Sequence, residues 1–341
     1  MQMVEPVLAV DVGSGTQDIL LYLPGKNVEN FPKMVMPSRT QIVAHEIRQL
    51  TAQGKNIFLT GHLMGGGACT GAVKAHLKAG LKVMALPQVA KTFNDDLAVV
   101  KAMGVELGER RPHAFAEVVF GDLDLPALTQ GLAAFGLELP RKFAVALQDH
   151  GEHAGMSNRQ FRFEQWQKFI LNGGQLQELT YEQAPEYLTR MQAVQSIVPN
   201  SYLMDTGAAA IWGMLCDPRV RAKREEGFIA INVGNSHTLG MAIKGERVLG
   251  VFEHHTGVLD STTLAQQLAK FQRGILANEE IFAATGHGAY MHPDYRGNFE
   301  FVALTGPRWE LAQDCDFYRV APYGDMMLTG CFGLLAAAGI I

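Results

Sequence analysis

The chain has 341 residues, 48% hydrophobic and 18% charged, with a formal charge of −5. This is an ordinary globular composition, long enough for two domains, and its mild charge with no basic stripe argues against nucleic acid or an anionic membrane as main partner. Its four cysteines are scattered without a C-x-x-C or C-x-x-x-C pair, so neither a disulfide framework nor a zinc or iron–sulfur site is expected, and a reducing cytoplasm is the expected location.

In chain order, MQMVEPVLAV lacks a basic n-region and a small-residue cleavage site, so it does not read as a signal peptide. AVDVGSGTQDILLY (9–22) follows: two β-prone runs joined by a glycine turn, with Pro24-Gly25 too close for a helix. Gly13 and Gly15 allow positive φ, and their missing side chains let backbone N–H groups point at an anion, with Ser14 and Thr16 as hydroxyl donors. Asp11, at the end of the first run, suits a hydrated magnesium beside phosphate. The bland alternative is an ordinary hairpin.

Next, KNIFLTGHLMGGGACTGAVKAHLKAGLKVMAL reads as strand, glycine loop, helix, strand. Gly65, Gly66 and Gly67 precede a helix expected near Thr70, an anion site or a structural βα turn. The Gly-Lys-Ser/Thr ending of a phosphate-binding Walker loop is absent. KTFNDDLAVVKAMGVEL reads as a helix capped near Asn94, with Asp95 and Asp96 in its first turn. FAVALQDHGEHAG places Asp149, His150, Glu152 and His153 beyond an apolar strand, and VFEHHTG places Glu253, His254 and His255 at another strand end. These clusters are read as a substrate pocket, a transition-metal site or plain loops. Arg159 and Arg162 in MSNRQFRFEQW are candidate clamps for an acidic ligand.

SYLMDTGAAAIWGML (201–215) reads as a strand ending at Asp205, then a helix rich in small residues with Asp205 or Thr206 as N-cap. FIAINVGNSHTLGMAI (228–243) repeats the design of residues 9–22: a strand ending at Asn232, the turn VGNSHT, and a second strand, which suggests a duplicated unit. FVALTGPRWEL is strand, Gly306-Pro307 turn, helix, and GDMMLTGCFGLLAAAGI is a final small-residue helix.

These five elements, in this order, resemble the actin-like ATPase superfamily of sugar and acetate kinases, DnaK-type chaperones and actin: first phosphate hairpin, first connecting helix, second phosphate hairpin, adenosine loop, second connecting helix. At closer range DVGSGTQDIL, LTGHLMGGG, QDHGEHAGMSNRQFRF, MDTGAAAIWG, NVGNSHT, EHHTG and TGPRW resemble a prokaryotic family labelled "putative pyruvate formate-lyase activating enzyme". That label implies radical chemistry on a cysteine-held iron–sulfur cluster; the sequence has no such triad, and the activity is not carried over.

The resemblance implies a two-domain α/β actin-like (ribonuclease H-like) fold with an enlarged first domain. Residues 1–215 plus 326–341 would form that domain, with an inserted βα segment at about 24–140, and 216–325 the second. It implies ATP and Mg2+ in the cleft: Asp11 on metal-bound water; Ser14, Gly15, Thr16 and Gln17 on the phosphates from one side; Gly234, Asn235, Ser236 and Thr238 from the other; Gly306, Pro307 and Arg308 near adenosine. Asp205 would be the catalytic base. His237 is either a phosphate donor or a surface turn residue. Gly65–Gly67, Asp149, His150, His254 and His255 are the expected contacts to a small-molecule substrate. Asn232 stands where many members carry an acid, and can hydrogen-bond a metal-bound water without supplying charge. An ATP-dependent kinase or ATPase is therefore weighed against a nucleotide-gated switch with little turnover, read by a protein partner, and against non-nucleotide chemistry in the same cleft.

Overall fold

The computed structural model describes residues 5–341 apart from 154 and 298; the first four residues of the stretch examined for a leader lie outside it. Three sheets organise the chain. The first joins β1 (Val7–Val12), β2 (Thr16–Tyr22), β3 (Lys33–Pro37), β8 (Lys142–Leu147), β9 (Thr180–Tyr181) and β10 (Ser201–Met204) in the order β3-β2-β1-β8-β10-β9. A parallel sheet, β6-β5-β4-β7, uses β4 (Ile57–Gly61), β5 (Val83–Ala85), β6 (Val105–Leu107) and β7 (Ala116–Phe120). The last, β14-β13-β12-β11-β15-β16, uses β11 (Phe228–Val233), β12 (His237–Lys244), β13 (Arg247–His255), β14 (Gly288–Met291), β15 (Val302–Thr305) and β16 (Tyr318–Arg319).

The first and last sheets share one plan. β1 pairs antiparallel with β2 and parallel with β8; β11 pairs antiparallel with β12 and parallel with β15. A three-stranded meander extended by parallel strands is the ribonuclease H-like arrangement, present twice, so the fold is the actin-like one that the motifs imply. β3 belongs to the first sheet, paired with β2, so the parallel sheet is inserted after it rather than from residue 24.

The strands VLAVDV and FIAINV are apolar on both faces because both faces are covered. Among the helices are α1 (Arg39–Ala52), α2 (Gly67–Lys78), α3 (Asn158–Leu171), α4 (Thr206–Met214) and α5 (Thr329–Ala337). α4 and α5 cross with almost no side chain between them. A Cβ on Gly213 would lie 1.8 Å from the Thr329 carbonyl oxygen, and one on Gly333 1.8 Å from that of Ala209. That explains the small residues of both helices. Their other faces bury Ile211, Met214, Phe332 and Leu335 in the core under the first and last sheets, each such side chain worth about 1.5–3 kcal/mol. Two local expectations need correction. Asp96, not Asn94, caps the short helix Leu97–Ala102, accepting from Ala98 N. Residues Trp309–Ala312 form only a 3-10 turn.

Candidate functional site

A cleft of about 350 Å3 opens where the C-terminal ends of β1, β8, β10, β11 and β15 converge, within the usual range of ligand sites. Both glycine turns reach it. Gly13 N donates to Thr16 O and Gly234 N to His237 O, each at 2.9 Å, so the two turns close in the same way. Ser14 Oγ and Ser236 Oγ touch at 2.6 Å. Neither Gly13 nor Gly15 uses the positive φ that glycine allows. Glycine is needed for closeness instead: a Cβ on Gly15 would lie 2.8 Å from Asn235 Nδ2, and one on Gly13 2.9 Å from Thr16 O.

Asp11 and Asn232 occupy the same place, fifth of six residues in their strands. Asp11 pairs across the hairpin with Asp18, and both line the cleft. Burial pushes Asp11 up to about 7 and Asp18 to about 8, helped by the negative charge of Asp205 near Asp11 and of Asp11 near Asp18. Thr206 Oγ1 donates to Asp11 Oδ1, while Asp18 Oδ1 is buried with no partner among the described residues. Asp205 caps α4, Oδ1 accepting from Gly207 N at 3.0 Å. Burial raises its pKa, against the opposing pull of Arg162.

Arg162, on α3, is the centre of the cleft's electrostatics. Its Nε lies 3.1 and 2.8 Å from the two Glu253 oxygens, and Nη2 donates to Glu253 Oε1 at 3.0 Å. Nη1 donates to the Asp149 carbonyl and lies 2.9 Å from Asp205 Oδ2, close enough for an ion pair but out of line for a hydrogen bond. Gln148 and Trp166 also donate to Glu253. Glu253 is buried; its carboxyl stays far below the usual range because the Arg162 attraction overrides the cost of burial.

Beside this group stand four imidazoles. His150 Nε2 and His287 Nε2 are 3.2 Å apart, and the His237 ring lies 5.0 Å from His287 and 4.6 Å from His255, centre to centre. Burial pushes His237 down to about 3 and His287 to about 4, with His150 also well below its ordinary value.

The cleft brings together Asp11, Gly13, Ser14, Thr16, Asn232, Gly234, Asn235, Ser236, His237, Gly306, Pro307, Asp205, Gly65–Gly67, Asp149 and His150. Others do not reach it, Gly15 among them. Gln17 turns its amide to the Pro37 carbonyl, and Thr238 is buried with its hydroxyl 3.0 Å from Thr256 Oγ1. Arg308 is outside the lining. His254 alternates to the other face of β13 from Glu253 and His255, its Cδ2 lying over Gly286. His255 joins the imidazole group rather than the lining. Asp149 spends both oxygens on the Gly151 and Met191 N–H groups, a structural role. His153 stacks on Phe161. Sequence reasoning singled out neither Asp18, Glu253 as a partner of Arg162, His287, nor the Asp122–Arg190 pair beside the glycine loop (2.6 Å). Only Asp18 had a local signal, its hairpin register opposite Asp11.

The family described as "Putative pyruvate format-lyase activating enzyme (DUF1786)" matches residues 64–311. The chain belongs to that family. The matched span contains the glycine loop, Asp205, the second hairpin and the Gly306 turn; the first hairpin and α5 lie beyond its ends. The activity in the family's description requires a cysteine-bound cluster. The cysteines here are Cys69, Cys216, Cys315 and Cys331, and among the described residues no three of them form a metal-holding group, so this chain does not fit that cofactor. No curated protein matches the chain. Solved structures similar to it include the ethanolamine utilization protein EutJ of Carboxydothermus hydrogenoformans (10% identity, 96% of this chain and 88% of that one, TM-score 0.33). The activator of 2-hydroxyisocaproyl-CoA dehydratase from Clostridium difficile, with bound ADPNP, aligns over 98% of this chain and 95% of its own at 8% identity and TM-score 0.34. A Bacteroides thetaiotaomicron protein with an actin-like ATPase fold and unknown function aligns over 96% and 95% at 7% identity and TM-score 0.38. These superpositions are loose, and the fold is read from strand order. Among the described residues no helix is long and apolar enough to cross a membrane.

Proposed function

We propose that the cleft binds magnesium–ATP and that the chain is a phosphotransferase or ATPase acting on a small molecule, with Asp205 as base. The observation that carries this reading is the meeting of two glycine turns, Ser14 against Ser236 at 2.6 Å, over the buried carboxylates Asp11 and Asp18, which form no ion pair among the described residues. Turn N–H groups and hydroxyls suit phosphate oxygens. Asp11 and Asp18 fit a hydrated divalent ion: they repel each other, both are held above the ordinary range, and Asp18 Oδ1 is unpartnered.

When bound, magnesium–ATP supplies the transferable phosphoryl group and the charge that neutralises it. The chain's residues orient and exclude. Ser14 and Thr16 face Gly234, Asn235 and Ser236 across the phosphates, with Gly15 packed against Asn235 behind them; Gly306 and Pro307 border the nucleoside. Asp205 takes the acceptor's proton on Oδ2, with Arg162 stabilising the carboxylate. Gly65–Gly67, backed by Arg190, face the acceptor. Residues 1–215 with 326–341 form one closing body and 216–325 the other.

Asn232 and the Arg162–Asp205 pair favour a second reading, a nucleotide-gated switch whose closure a protein partner reads. One side chain ties Asp205, beside the first sheet, to Glu253 on the last, so closure and Arg162 geometry are coupled. Calorimetric titration with ATP, with and without magnesium, followed by an ADP-release assay, separates the readings. The enzyme requires magnesium-dependent binding and release that Asp205→Asn reduces at least 100-fold. Binding without release supports the switch, and absence of binding sinks both.

A further inference from the structure

We infer that His150, His237 and His287 form a site for a zinc-class transition-metal dication on the floor of the cleft. The three residues come from three separate segments: His150 just after β8, His237 at the start of β12, His287 just before β14. One ligand nitrogen from each lies within 4.8 Å of the others. Two imidazoles on a tetrahedral ion with bonds of about 2.0–2.1 Å have nitrogens about 3.3 Å apart. The His150 and His287 Nε2 atoms are already 3.2 Å apart. His237 needs to close by no more than about 1.5 Å, within reach of a χ rotation. Its Nε2 is buried without a hydrogen-bond partner among the described residues, an atom whose desolvation is otherwise uncompensated.

The donors decide the class of ion. Three imidazoles with no carboxylate oxygen among them suit zinc, cobalt, nickel or copper, and not magnesium or calcium. Three protein ligands leave a fourth position, and because His150 and His237 line the cleft, that position faces the ligand space. Two fixed cations stand near: Arg162, whose charge is answered by Glu253 and Asp205 at 2.8 and 2.9 Å, and Arg159, whose Nη1 donates to the Gly286 carbonyl at 2.7 Å beside His287 and whose charge opposes a dication there. His255, with its ring 4.9 Å from that of His287, and the Glu253 carbonyl, which accepts from His287 N, brace the far side. His287 Nδ1 has no acceptor among the described residues. Such a missing outer contact typically costs 10–100-fold in affinity, so a site weaker than a fully braced three-histidine zinc centre is expected.

This inference does not require a nucleotide in the cleft. It is tested by equilibrium dialysis of the whole chain, stripped with chelator, against Co2+, with visible absorption read alongside metal content. One Co2+ per chain with the intense bands of four-coordinate cobalt is expected. His150→Gln and His287→Gln, checked for folding by circular dichroism, should each lower occupancy more than 10-fold. His45→Gln, an exposed histidine on α1, should leave it unchanged. Asp18→Asn should leave the four-coordinate bands unchanged, even where it removes six-coordinate cobalt held by the carboxylates, which separates the two sites. Absence of bound cobalt, weak six-coordinate bands only, or full occupancy in folded His150→Gln and His287→Gln overturns the assignment. ATP titration of the same samples is scored separately: loss of nucleotide binding with cobalt retained sinks the ATP reading alone, and the reverse sinks the metal site alone.

Discussion

The two hairpins are copies in backbone and opposites in charge. Both turns close through a glycine N–H at 2.9 Å, and both strands place a polar residue fifth of six. The first hairpin then sets Asp11 opposite Asp18, while the second sets Asn232 opposite Leu239. The last sheet holds its acid elsewhere, as Glu253 on β13, and neutralises it with Arg162. One side of the cleft thus carries uncompensated carboxylates suited to a hard cation, and the other carries amide, imidazole and a closed ion pair. The two units share the geometry that holds their turns together and differ in the polar side chains those turns present.

The largest effect should come from opening that ion pair. Arg162→Met leaves Glu253 buried with only the Gln148 and Trp166 donors, and should cost about 3–5 kcal/mol in denaturant unfolding. Adding Glu253→Gln should recover most of it. An equal loss in the double variant would mean that Arg162 acts through packing, not charge.

The carboxylate side should show itself in pH dependence. With pKa values raised to about 7 and 8, folded Asp11 and Asp18 hold protons that the unfolded chain releases near 4, so they take stability away as pH rises toward 8. The buried histidines act oppositely but only below their unfolded value near 6.5, where the unfolded chain binds protons that the folded chain refuses. Between pH 6.5 and 8 the carboxyls therefore dominate, and Asp18→Asn should remove about 1–2 kcal/mol of decline there. An unchanged slope would show that Asp18 titrates normally. The smallest effect is expected at the join between hairpins: Ser14→Ala loses one partly exposed hydrogen bond, about 1 kcal/mol at most, visible as a small Tm shift.

What could be read in advance tracks locality. Both hairpins, the cap at Asp205 and the small-residue helices α4 and α5 are written in runs of adjacent residues, because strand alternation, glycine turns and N-caps are short-range effects. Asn94 and Asp96 are both good caps; Asn94 Oδ1 accepts from Asp96 N at 2.8 Å and Asp96 Oδ1 from Ala98 N, so the helix begins two residues beyond the place its sequence suggests. At Gly13 and Gly15 the constraint is close approach rather than backbone φ: Thr16 O within the same turn at Gly13, and Asn235 of the other hairpin at Gly15. The insertion, which reads as strand, glycine loop, helix, strand and a further helix, is a parallel sheet of four strands: β4 and β5 are legible, while β6 and β7 are not, β6 being only three residues long.

The sequence by itself determined the duplicated strand–turn–strand units, the helices that cross between them and the acids at the strand ends, because each depends on neighbours within a few residues. Only the tertiary structure decided which of those groups meet. Arg162 finds Glu253 across 91 positions, Ser14 finds Ser236 across 222 and His150 finds His287 across 137. Contacts at such separations follow from how the sheets face each other, and no local pattern encodes them.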